Sequence, residues 1–71
     1  MSMSQIDRIA NVLAKHNAGA GITASQVAKL ARVPRENVSK RVYDLRTEGY
    51  AIYSNYRKVN GERKLYYRMA S

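Results

Sequence analysis

Two adjacent residues, Asn60 and Gly61, constrain the C-terminal third of this chain more tightly than any others. A two-residue hairpin turn needs positive φ at both positions, and Asn-Gly is the pair that tolerates it best. On either side the apolar rhythm has a period of two, through Tyr50–Tyr56 and Leu65–Met69. The turn therefore predicts a hairpin over about 50–69 and fixes its register. Ile52 faces Met69, Ser54 faces Tyr67 and Tyr56 faces Leu65 on an inward side. Tyr53 with Arg68, Asn55 with Tyr66 and Arg57 with Lys64 lie on the outward side. Tyr50, Tyr56 and Tyr67 are expected in the core, and Tyr53 and Tyr66 on the wet face.

The same register opposes like charges near the tip. Arg57 comes opposite Lys64 and Lys58 opposite Arg63, with only Glu62 nearby, an arrangement that costs a few tenths of a kcal/mol or more per pair. A polyanion lying along the tip would neutralise these cations and release counterions.

Upstream, residues 34–48 read as one helix with a dry stripe. Val38, Val42 and Leu45 recur at helical spacing, which leaves Arg35, Asn37, Lys40 and Arg41 on the remaining faces. Pro34 suits a first helical turn, where its missing N–H has no partner, and Gly49 suits a left-handed exit. Glu36 and Lys40 are spaced for an ion pair along the helix. Arg46 falls beyond the wet face, as ordinary surface.

Two further helices precede it. The first spans about 4–16, opened by Ser4 with Asp7 three residues on, with Ile6, Ile9, Ala10 and Leu13 as its apolar stripe. His16, the sole histidine, falls at its exposed end. Gly19 and Gly21 break the pattern, and Ile22 is expected to form a very short strand. The second helix spans about 23–32, opened by Thr23 with Gln26 at the third position. Its buried side is expected from Val27, Ala28, Leu30 and Ala31. It ends where Val33, placed before Pro34, is pushed out of the helical region.

Composition narrows the function. The 71 residues hold thirteen Lys and Arg against five Asp and Glu, a formal net charge of +8, which favours an anionic partner such as nucleic acid. Such a length predicts one domain, 1–71, with a small core. With no cysteine, neither a disulfide framework nor a thiolate metal site is expected. No apolar run suggests a membrane span and the N-terminus shows no signal-peptide pattern, so a cytoplasmic, nucleoid-associated protein is expected. Paired carboxylates, a Cys-His arrangement and a phosphate-binding glycine loop are all missing, which argues against an enzyme. No metal, cofactor or small-molecule ligand is suggested.

Two helices joined by a turn of about three residues form a helix-turn-helix. With the following hairpin, the pieces Gly21–Leu30, Val33–Leu45, Glu48–Ile52 and Arg63–Met69 resemble the winged helix-turn-helix superfamily, especially small bacterial and phage DNA-binding regulators. The resemblance implies an α+β fold of three helices with a two-stranded β-wing plus one short strand. It also implies a duplex DNA partner, with helix 34–48 in the major groove and the basic wing, 57–64, on the backbone or minor groove. The relatives that bind left-handed duplexes share Pro34, Arg35, Lys40 and Tyr43 by spacing. Ser39, however, stands where they have asparagine, and their tryptophan and wing proline are missing.

On the recognition helix the candidates are Arg35, Asn37, Lys40 and Arg41 for base edges, with Ser39 and Tyr43 for phosphates. On the wing they are Arg57, Lys58, Asn60, Arg63 and Lys64, as positioning contacts. A homodimer or a cooperative array on DNA is compatible with this reading; no helix is left over for dimerisation, which favours a monomer or an array. The alternatives are an adaptor that binds an acidic protein and an RNA-binding module.

Overall fold

The computed structural model describes residues 4–70; the expected domain bounds at 1 and 71 lie outside the described residues. Three helices, α1 (Gln5–Lys15), α2 (Ala24–Ala31) and α3 (Arg35–Thr47), are combined with three strands, β1 (Ile22–Thr23), β2 (Ile52–Val59) and β3 (Glu62–Met69). The strands form one antiparallel sheet in the order β1-β3-β2. The result is a small α+β domain. No helix among the described residues is long and apolar enough to cross a membrane.

The helix starts follow the capping chemistry. Ser4 Oγ accepts from Asp7 N–H and Thr23 Oγ1 from Gln26 N–H, each at 3.2 Å, satisfying donors that have no partner inside the helix. α3 starts one residue later than expected. Pro34 is its N-cap, with ψ at 140°, and it has no side-chain acceptor to offer. Its carbonyl instead accepts from Asn37 N–H at 2.9 Å.

The end of α2 needs more support than its sequence suggests. Arg32 takes a left-handed backbone, φ 58°, where glycine is the usual residue. Arg8 on α1 stabilises that end from outside. Its Nε donates to the Ala31 carbonyl at 2.7 Å and its Nη2 to the Arg32 carbonyl at 3.5 Å, so a cation meets the negative end of the helix dipole.

One core fills the space between the helices and the base of the sheet. Ile9, Leu13, Val27, Val38, Val42 and Leu45 are its largest fully buried side chains, joined by Ile22, Ile52, Tyr67 and Met69. Small side chains on α2, Ala24, Ala28 and Ala31, let the neighbouring helices come close. Leu30 does not join them; it is half exposed, because it stands more than a quarter turn from the stripe those alanines share with Val27. His16 is exposed at the end of α1, as expected.

The hairpin register is the one the turn predicts, from Ile52 opposite Met69 to Val59 opposite Glu62, and Asn60 and Gly61 both have positive φ. β1 pairs with β3 through Ile22 and Tyr67. Gly21, just before it, has φ +90°, and a Cβ there would lie 2.1 Å from the Tyr67 carbonyl oxygen. No other residue fits between the two backbones.

The tyrosines depart from expectation at two positions. Tyr67 is buried, but Tyr50 and Tyr56 are exposed. Tyr50 lies ahead of the strand, in the turn out of α3, where its N–H caps the Leu45 carbonyl; strand alternation does not reach it. Tyr56 has the inward parity but nothing beneath it. Its partner across the sheet, Leu65, still packs against the core, so the helices reach beneath this part of β3 and not beneath β2. β2 forms an open edge of the sheet along its whole length.

Candidate nucleic-acid interface

α3 divides its surface into four stripes at about 100° per residue. Val38, Val42 and Leu45 face the core. Directly opposite stand Glu36, Lys40, Tyr43 and Thr47, all exposed, with Tyr43 the most exposed large hydrophobic side chain among the described residues at 69%. The two flanks differ. One carries Arg35, Ser39 and Arg46 toward the sheet, and the other carries Asn37, Arg41 and Asp44 toward α1.

This arrangement separates residues that the sequence groups together. Asn37 Nδ2 donates to Gln5 Oε1 on α1 at 3.4 Å, and Arg41, one turn on, pairs with Asp44 at 3.4 Å with its Nε buried. Neither lies on the bare stripe. Glu36 and Lys40 form no ion pair among the described residues, so the expected intrahelical bridge is replaced by Arg41–Asp44.

The sheet-side flank is structural at two of its three positions. Ser39 Oγ lies 3.2 Å from the Tyr67 hydroxyl, which gives that buried ring its polar partner. Arg46, expected to be ordinary surface, donates from Nε to the Ile52 carbonyl at 2.9 Å and from Nη2 to Ser54 Oγ at 3.3 Å. Arg46 thereby fixes the direction in which the hairpin leaves the helices. Nothing in its own spacing signals this; the signal is its place on the stripe of Arg35 and Ser39.

Arg35 is the third. It lines a groove of about 250 Å³ together with Thr23, Ser25, Glu62, Arg63, Lys64 and Leu65. The groove has a simple origin. β1 pairs only as far as Tyr66, so the tip half of β3 has a free edge, and the first turns of α2 and α3 stand across from it. Three cations and one acid converge there from two parts of the chain nearly thirty residues apart. Ser25, which sequence reasoning passed over, contributes the hydroxyl side of the groove.

At the hairpin tip the opposed cations are present as expected, but they lie on two faces. Lys58 and Arg63 share the inward parity with Tyr56, whereas Arg57 and Lys64 share the outward parity with Tyr66. Each arginine rests on a tyrosine one rung away, Arg63 at 4.0 Å from the Tyr56 ring centre and Arg57 at 5.9 Å from that of Tyr66. An exposed cation–π contact contributes about 0.5–1 kcal/mol, enough to offset the repulsion between opposed charges. The fixed register makes both contacts predictable as diagonal neighbours. The side chains of Lys58 and Lys64 have no ion pair or hydrogen bond among the described residues. Asn60 serves the turn through its positive φ.

Compared with family models, with curated proteins and with solved structures, the chain matches none.

Proposed function

We propose that this protein is a non-enzymatic, double-stranded DNA-binding regulator or architectural factor of the winged helix-turn-helix type. The observation that carries the reading is the convergence at one groove of Arg35, from the start of α3, with Arg63 and Lys64 of the hairpin. Supporting it are the three helices and the β1-β3-β2 sheet, an element order compatible with that fold. In this reading α3 enters the major groove with its bare stripe, so Lys40 and Tyr43 lead and Arg35 lies at the margin nearest the hairpin. Lys58, Arg63 and Lys64 then lie along the flanking phosphates. The first turn of α3 has no side-chain cap, which leaves N–H groups at the helix start for an anion.

Asn37 and Arg41 have a lesser part, because both are engaged on the α1 side. The net charge of +8 supplies the long-range attraction.

Titration of the full chain against duplex DNA, structured RNA and an acidic protein, at two salt concentrations, tests the proposal. Five cations on phosphate or base edges predict a slope of log K against log salt of about −4 to −5, with duplex DNA preferred. Undetectable duplex binding at low salt overturns it. Tighter binding of the acidic protein assigns the cationic groove to an adaptor role instead.

A further inference from the structure

Strand alternation gives the sheet a second surface, turned away from the helices. Three rungs stand on it: Arg57 with Lys64, Asn55 with Tyr66, and Tyr53 with Arg68. Successive rungs are about 6.6 Å apart, so the rungs make a platform about 13 Å long. It holds three cations and no acid; Glu62 belongs to the next rung, at the turn. Tyr53 is 56% exposed and contributes nothing to the core. Tyr66 is half buried, with the Arg57 guanidinium over its ring. Arg68 is held in place by donating from Nε to the Asn17 carbonyl at 3.1 Å.

We propose that this outer face binds single-stranded nucleic acid, with two successive bases stacked on Tyr53 and Tyr66 and the sugar-phosphate chain held by Arg57 and Arg68. Charge complementarity selects a polyanion. Ring geometry selects unpaired bases: two aromatic rings on diagonal positions of the sheet offer stacking that a duplex, whose bases already stack on one another, does not use. Asn55, between the rings, supplies an amide for a base edge.

Apart from Lys64, which stands at its tip-ward margin and also borders the cationic groove, this surface shares no residue with the duplex reading. Its side chains point opposite to Lys58, Arg63 and the buried Tyr67, so a duplex lying on α3 leaves it open. If both readings hold, one chain carries a duplex on one side and a displaced strand on the other.

The test uses labelled oligo(dT) and oligo(U) of about 12 nucleotides, with fluorescence anisotropy at low salt. Tyr53→Ala is expected to weaken binding by about 5- to 150-fold, the range for loss of one stacked base. Tyr53→Phe, which keeps the ring, should stay within about twofold of the parent on the same scale, and Lys40→Ala, on the opposite surface, should leave oligonucleotide affinity unchanged. Saturation with a short unlabelled duplex should not displace the oligonucleotide. Tyr53-dependent binding of either strand supports the proposal, and the tighter of the two identifies the preferred sugar. An inert Tyr53→Ala, absence of oligonucleotide binding, or one-for-one displacement by duplex overturns it. Loss of duplex binding with Tyr53-dependent oligonucleotide binding retained overturns the duplex reading alone.

Discussion

The guanidinium of Arg46 bridges α3 and the hairpin, donating to the carbonyl of Ile52 at 2.9 Å. Ile52 is the first residue of β2 and the last point where that strand is buried, so this bond sits at the base of a lever. Arg46→Ala is expected to lower stability by about 1–2 kcal/mol, the range for a charge-assisted hydrogen bond. Urea denaturation measures that, and amide exchange should quicken at the start of β2. DNA affinity should fall as well, although Arg46 lies off the bare stripe.

Lys40→Ala and Lys64→Ala separate reading from positioning. Lys40 stands in the middle of the bare stripe, so its loss should weaken binding by about 1–3 kcal/mol and relax sequence preference. Lys64 borders the groove without a protein partner. Its loss should weaken all duplexes alike and reduce the salt slope by about 1. Competitive selection from a random duplex pool at two salt concentrations distinguishes the two.

Arg41→Ala should behave differently from both. Its half-buried side chain and its pairing with Asp44 place it on the α1 flank. The pair is a surface bridge worth about 0–1 kcal/mol, and most of the change should appear in thermal stability. A loss of sequence preference as large as that of Lys40→Ala would contradict this placement.

Gly21→Ala puts a methyl group 2.1 Å from a carbonyl oxygen at a residue with φ +90°. Backbone must move, and β1 must leave β3. The expected cost exceeds about 1 kcal/mol, read as a lower midpoint in urea. Gly61→Ala meets no atom within 4 Å and has φ +82°, so it should cost less.

Leu45→Ala tests the core. The side chain is fully buried, and truncation of such a leucine costs about 2–5 kcal/mol. That approaches the whole stability of a domain this small. Circular dichroism should show a largely unfolded chain at 37 °C.

What could be read in advance follows from how local each signal is. The register of the hairpin rests on two residues and the parity of their neighbours, and every predicted pair is present. The capping residues Ser4 and Thr23 act within one turn, and they too were legible. The misplaced side chains depend on what lies across a gap. Periodicity identifies the dry stripe of α3, but only the positions of α1 and the sheet decide that Asn37 and Arg41 turn one way and Ser39 and Arg46 the other. Parity likewise gives Tyr56 its side of the sheet and says nothing about whether a helix reaches beneath it.

The open edge of β2 has a consequence for the protein in concentrated solution. On its free edge β2 leaves the N–H and C=O groups of alternate residues unpaired, apart from the Ile52 carbonyl held by Arg46, a template on which a second sheet can zip, and what deters it are the positive charges of Arg57 and Lys58. Counterions weaken that deterrent within a Debye length of about 10 Å at 0.1 M salt. Raising the ionic strength, a routine way to keep basic proteins dispersed, should therefore drive this one toward self-association, and light scattering would register it.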